Sequence, residues 1–392
     1  MDGSTTPTSV ASTGLDGPAL LDVFDQIPLE IVGGEGAWLV AADGTRYLDF
    51  YGGHAVALLG QAHPRLVAAL EAQARALFFQ SNLVPLAVRR RAGERLVAFG
   101  PPGLTRAFFV NSGAEANENA LRVACRTTGR TRVVAVEGAF HGRTAAAGAV
   151  TAGAAKWYGF PRAPFEVTFV PFDDAAALAQ TMAPDVAAVI VEPVQGVAGA
   201  RALSRAFLEA AREQATRHGA LLIFDEVQCG MGRTGWPFAA QAHGITPDIL
   251  TTAKGLAGGF PAGAMLVSER LAARCGKGDL GTTFGAGPLA AALIETVVDV
   301  IESEGLLPRV RRLGERLATE CVAGPVVATQ GMGFLCGLRT TRPAKEILAA
   351  LRARGVLAGG SADPHVVRLL PPLVLDDAHV DQLVATLREI PA

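Results

Sequence analysis

The chain has 392 residues, half of them hydrophobic, and a net charge of −2. That length suits two or three lobes sharing a large core, and the near-neutral charge gives no electrostatic case for nucleic acid. The longest apolar runs are broken by charge or glycine well short of the ~20 residues that a helical membrane span needs. Five cysteines (Cys125, Cys229, Cys275, Cys321 and Cys336) show no CxxC or CxH spacing. This argues against a metal site or a disulfide framework and for a reducing compartment, the cytoplasm.

Residues 1–15, MDGSTTPTSVASTGL, are rich in Ser, Thr and Gly, with no Arg or Lys and no apolar segment. They read as a disordered tail, not as a signal or transit peptide. Residues 16–60 form an N-terminal segment. Within it GAWLVAADGTRYLDF alternates apolar and polar residues around Asp43-Gly44, which predicts a hairpin. A large domain is expected over 61–299. It opens with a helix in HPRLVAALEAQARALFF, with Pro64 near its first position, and a second helix in AVRRRAGERLVAF. Strand and helix then alternate. TRAFFV leads into the helix of NSGAEANENALRVACRTT, and RVVAVEG leads into a loop containing FHGRT. EVTFVPF, AAVIVEP and LLIFDEV follow as short apolar runs with helical stretches between them. Such alternation predicts a mainly parallel sheet covered on both faces. After GTTFGAGP the pattern changes. Helices in LAAALIETVVDVIESEG, RVRRLGERLATE, AKEILAALRARG and DAHVDQLVATLREI mix with strands VVATQG, FLCGLRT and VVRLLPPLVL. This predicts a smaller α+β domain over 300–392.

Two segments carry the chemistry. In LLIFDEVQCGMGRTG an apolar strand delivers Asp225 at its C-terminal end, where ligands bind in open α/β sheets. In DILTTAKGLAGGFPAGA, Lys254 stands 29 residues further on, among glycine, alanine and proline. Such a lysine, with a carboxylate nearby, could hold an aldehyde cofactor as a Schiff base, with Asp225 paired to a protonated pyridine nitrogen. Each residue alone reads better as a surface lysine or an ordinary strand-end aspartate; the pairing, with the motifs that follow, favours the chemical reading. Ser112, Gly113 and Ala114 lie between strand and helix, where small residues let free amides approach an anion. The same residues also suit simple helix capping. In FHGRT, Phe140 could stack on a flat ring or pack in the core, and Arg143 could fork a carboxylate or remain a solvated charge. Glu192 in VEPVQG reads as a supporting carboxylate, His54 as a satisfied loop histidine, His141 as structural, and Cys229 as a packing residue.

Together these segments closely resemble the class III pyridoxal-phosphate (PLP) aminotransferases of fold type I, over roughly residues 20–390. Within that class they look most like the acetylornithine/ornithine group. The resemblance implies an α/β fold with a mainly parallel seven-stranded sheet and PLP as cofactor. It implies Lys254 and Asp225 as catalytic residues and Gly113 and Ala114, with Ser112, on the cofactor phosphate. It also implies Phe140 over the ring, Gln228 on the ring hydroxyl, and Thr283 reaching the phosphate of a neighbouring subunit, hence a homodimer with shared sites. GTTFGAGP departs from the common GGNP at Gly285-Ala286-Gly287-Pro288. Arg143 would bind the substrate carboxylate far from the reacting amine. The implied reaction passes an amino group from an N-acylated ornithine to a 2-oxo acid, 2-oxoglutarate, in arginine biosynthesis. Ornithine, succinylornithine, carrier-linked lysine and GABA are neighbouring donors, and a mutase or racemase on the same fold is a further possibility. The rival of a different class is a catalytically silent PLP-fold binding or regulatory protein. A second departure concerns EPxQGE, whose last glutamate pairs in relatives with an arginine. Here Val197 takes that place, and the matching Arg368 is expected to stay open to carboxylates.

Overall fold

Four strands in which every residue is buried form the centre of the protein: Val186–Val191, Leu221–Asp225, Ile249–Thr252 and Gly263–Val267. Burial on both sides is what a sheet covered on two faces requires. A computed structural model describes residue 17 and residues 19–392; the tail expected over 1–15 lies outside the described residues. In the seven-stranded sheet the order is Arg106–Val110, Gly263–Val267, Ile249–Thr252, Leu221–Asp225, Val186–Val191, Arg132–Val136 and Glu166–Val170. Pairing is parallel except around Gly263–Val267, which runs antiparallel to both neighbours. This is the mainly parallel seven-stranded sheet that the resemblance implies.

Alternation along Leu221–Asp225 sets the two layers, because successive side chains point to opposite faces. Leu222 and Phe224 share a cluster with Phe207, Leu208 and Ala211 of helix Arg205–His218. Leu221 and Ile223 share another with Ala120, Leu121 and Ala124 of helix Gly113–Thr128. One sheet thus carries a helix on each side.

The expected hairpin forms from Trp38–Ala41 and Arg46–Asp49. Val356–Leu357, far along the chain, adds to it in parallel, so the N-terminal segment and the C-terminal region share a four-stranded sheet. Helix Pro288–Ser303 runs through residue 300, so the change of character falls inside an element. The run VVRLLPPLVL is a strand only over Val366–Leu369. Pro371 and Pro372 have no amide hydrogen for a ladder and end it.

After Arg46–Asp49 the chain makes a left-handed turn. Residues Gly52, Gly53, His54 and Ala55 have φ of 57°, 55°, 65° and 69°. Such angles strain the two non-glycine residues. At Gly52 a Cβ would lie 2.6 Å from Leu370 O. Asp49 holds the turn by accepting from Tyr51 N (2.9 Å) and Gly52 N (2.7 Å).

Candidate active site

Asp225 ends its strand 3% exposed, with both carboxylate oxygens hydrogen-bonded. Its Oδ2 accepts from Asn117 Nδ2 at 2.6 Å and lies 2.7 Å from His141 Nδ1; its Oδ1 accepts from Val227 N at 3.0 Å. Asn117 also donates to His141 O (2.8 Å) and accepts from Thr251 Oγ1 (2.7 Å). A carboxylate only accepts, so this contact places the His141 proton on Nδ1. His141 Nε2 is buried without a partner among the described residues. The carboxylate is therefore held by three segments of chain at one orientation, with its remaining acceptor capacity available to the cavity it lines.

Lys254 begins a short 3₁₀ turn, Lys254–Ala257, directly after strand Ile249–Thr252. Its φ of 48° is left-handed, an uncommon state for a side-chain-bearing residue and a frequent mark of a functional position. At Gly255 a Cβ would meet Leu58 Cδ1 at 2.9 Å, which explains the small residue beside the lysine. Burial holds the Lys254 ammonium below the usual lysine pKa. Asp225 and Glu192 oppose that shift, and Arg368 adds to it.

Ser112 caps helix Gly113–Thr128 by accepting from Glu115 N at 3.2 Å. The amides of Gly113 and Ala114 precede the first intrahelical bond and are orphan donors of that helix end. At Gly113 a Cβ would lie 2.6 Å from Val227 Cγ1, so only glycine lets helix and strand end approach this closely.

These pieces converge on one cavity of about 520 Å³. Its lining includes Ser112, Gly113, Ala114, Asn117, Phe140, His141, Arg143, Asp225 and Lys254. Phe140 N donates to Glu192 Oε1 (2.8 Å), and Gly196 N donates to Oε2 (3.2 Å). Burial pushes the Glu192 carboxyl up to about 7. A larger cavity of about 1020 Å³ lies between residues 22–28 and 343–364 and reaches Tyr51, but contains neither Lys254 nor Asp225.

Gln228, Arg368 and Thr283 lie outside the 520 Å³ lining. Gln228 Nε2 donates to His54 O (3.3 Å), and its Oε1 accepts from Arg368 Nη1 at 3.5 Å. At Gly196 a Cβ would fall 1.6 Å from Gln228 Oε1. Arg368 is 5% exposed and donates to Gly360 O (2.5 Å) and Gly196 O (3.1 Å). Among the described residues it makes no ion pair. Thr283 is exposed, beside exposed Phe284. His54 Nε2 is 2.6 Å from Tyr51 Oη, the satisfied loop histidine expected. Burial and the positive charges of Arg368 and Lys254 lower its pKa. Cys229 is buried with its thiol pKa pushed well up by burial, as suits a packing residue.

Sequence reasoning missed Asn117 and took His141 for a structural residue without a role at Asp225. A signal for Asn117 existed. It lies on the buried stripe of its helix with Ala116, Ala120, Leu121 and Ala124, and a polar side chain there requires a partner. No local pattern announced the His141 contact.

The arrangement fits PLP. A half-buried lysine and an oriented carboxylate share a cavity with a helix N-terminus whose amides suit a phosphate. Gly113 keeps that helix end free of a side chain that Val227 would exclude. Among the described residues no group of His, Cys, Asp and Glu could hold a metal, and no helix is long and apolar enough to cross a membrane.

Residues 22–390 match the family described as aminotransferase class-III. The chain is 42% identical to an acetylornithine aminotransferase of Mesorhizobium japonicum over 388 residues, 95% of this chain and 96% of that one. Among solved structures, the N-acetylornithine aminotransferase of Stenotrophomonas maltophilia superposes with a TM-score of 0.80 at 32% identity, covering 93% of this chain and 95% of that one. The ornithine aminotransferase of Toxoplasma gondii, which holds PLP at partial occupancy, superposes with a TM-score of 0.87 at 28% identity, covering 94% and 90%.

Proposed function

We propose, for a chain that belongs to the class III aminotransferases, that it moves the terminal amino group of N-acetylornithine to 2-oxoglutarate in arginine biosynthesis. The enzyme is PLP-dependent, as its family is. The reading further holds that it works in the cytoplasm as a homodimer with shared sites. It takes residues 61–299 as the cofactor-binding domain and 300–392 as the smaller one.

When bound, the cofactor supplies a carbonyl carbon that takes up the amino group and a ring that withdraws electrons from the carbon losing its proton. The side chains do the rest. Lys254 Nζ, its charge disfavoured by burial, would hold the cofactor covalently and, when free, would move the proton at the substrate carbon. Asp225, fixed by Asn117 and His141, would keep a proton on the ring nitrogen. Phe140 would cover the ring, Gln228 would meet its hydroxyl, and the Gly113 and Ala114 amides beside Ser112 would take the phosphate. Thr283 would reach the phosphate in the neighbouring subunit, which accords with its exposed position. Arg143 takes the carboxylate of the amine donor. Arg368, buried and without an acidic partner among the described residues, takes a carboxylate of glutamate or 2-oxoglutarate.

The observation that carries this reading is the convergence of Lys254, Asp225 and the Gly113–Ala114 helix end on one cavity. A donor panel with 2-oxoglutarate tests it, comparing N-acetylornithine, ornithine, succinylornithine, GABA and carrier-linked lysine. The highest kcat/KM is expected for N-acetylornithine; a clear preference for another donor overturns the substrate. Glutamate should also bleach the near-visible absorbance of the purified protein, which a silent binding protein would not show.

A further inference from the structure

Arg143 is exposed, yet its guanidinium is not adrift. Its central carbon lies 4.9 Å from the centroid of the Trp157 ring, within the range of a cation–π contact. Among the described residues Arg143 makes no ion pair. Held over the ring, the guanidinium makes no hydrogen bond among the described residues, so its N–H donors stay available.

Trp157 is itself held. Its amide and that of Tyr158 both donate to Ala154 O at 2.9 Å. Tyr158 Oη donates to Ala145 O at 2.6 Å. Both rings pack on Gly148, where a Cβ would lie 3.2 Å from Tyr158 Cδ2 and 3.4 Å from Trp157 Cζ3. Ala145 and Gly148 belong to helix Ala145–Ala149, which starts two residues after Arg143. The first turn of that helix is pinned by Glu118. Its carboxylate accepts from Thr144 Oγ1 (2.5 Å), Ala146 N (2.9 Å) and Ala147 N (3.0 Å). The Arg143 backbone is therefore fixed from one side and its head group from another.

We propose that Trp157 is a positioning residue for Arg143: it holds the guanidinium by its face, aims the free edge into the cavity, and so gives the enzyme its preference for amine donors that carry a carboxylate. This rests on the reading of Arg143 as the carboxylate clamp. Without the ring, the long side chain would have to be ordered at each binding event, a cost that falls on affinity and not on the chemical step.

The experiment compares Trp157→Phe, which keeps an aromatic face, with Trp157→Leu, which keeps apolar bulk without one. Both are assayed in the holoenzyme with N-acetylornithine and with n-butylamine, an amine without a carboxylate. Melting temperatures confirm folding. Trp157→Leu is expected to raise KM for N-acetylornithine about two- to fivefold, the size of an exposed cation–π contact, with kcat little changed. Trp157→Phe should restore most of that loss, and neither variant should alter kcat/KM for n-butylamine. Added to Trp157→Leu, Arg143→Lys should cost less than it does in the parent, because the two residues act as one unit. Equal losses for both amines would mean that Trp157 only holds its loop, and would overturn the proposal. An unchanged KM in Trp157→Leu, where Arg143→Lys raises it, would overturn the proposal alone. An unchanged KM in Arg143→Lys would overturn both the proposal and the reading of Arg143.

Discussion

Asp225 and Arg368 are both buried, at 3% and 5% exposed, and their surroundings are opposite in kind. Asp225 is met by three donors, from helix Gly113–Thr128, from the loop after Arg132–Val136, and from its own following turn. Arg368 meets two backbone carbonyls and the distant oxygen of Gln228. Removing any partner of Asp225 leaves a buried charge less compensated, which is expensive. Arg368 retains a full charge that neutral acceptors only partly satisfy. The end proposed to react is held from three segments and has one geometry. The end proposed for recognition leaves its charges open: among the described residues Arg143 meets an aromatic face, Arg368 meets neutral oxygens, and neither makes an ion pair.

This contrast is broken most severely at the reacting end. Lys254→Ala should reduce transamination to background while the melting temperature holds; turnover near the parent rate would remove Lys254 from the chemistry. Asp225→Asn should cost at least ~3 kcal/mol of transition-state stabilisation, because an amide cannot hold the ring nitrogen protonated. A kcat within about tenfold of the parent would contradict that role.

Changes at the recognition end should be smaller and should fall on KM. Arg143→Lys keeps the charge but loses the planar fork, so KM for carboxylate-bearing donors should rise about tenfold with the cofactor spectrum unchanged. Val197→Glu would give Arg368 an acidic partner. Glutamate would then have to break an ion pair worth on the order of 1 kcal/mol, raising its KM about fivefold and sharpening discrimination for the terminal-amine donor. A constant ratio of kcat/KM for the two donors would show that Arg368 is not an open carboxylate site.

The smallest expected effect concerns stability around the strand end. Glu226 accepts from Ala239 N and Ala240 N, yet burial pushes its carboxyl up to about 7 from 4.5. A raised carboxyl pKa means that the folded state keeps a proton which the unfolded chain releases. Its contribution is complete below 4.5 and is lost as the pH rises through about 7. Glu226→Gln cannot titrate, so its melting temperature should fall less between these pH values than the parent's. Parallel curves would show that the Glu226 carboxylate is charged throughout.

Much of this site was legible in local pattern. An apolar run ending in Asp225, a lysine among glycines, and a Ser-Gly-Ala start to a helix each announce their place, because strand and helix periodicities and helix-end chemistry act over a few residues. Strands Ile249–Thr252 and Gly263–Val267 were not read from the pattern, nor was the antiparallel direction of the second, since a short apolar run carries no sign of which way its neighbours run. Nor was the parallel addition of Val356–Leu357 to the N-terminal hairpin. The contacts that orient Asp225 join residues 84 and 108 positions apart. Trp157 under Arg143 and the carbonyls around Arg368 likewise depend on which segments come to rest together. By itself the sequence determined most of the elements and the chemistry they carry, for periodicity and capping are local. Only the tertiary structure decided which side chains meet, because sheet order and helix packing bring together groups that no local spacing connects.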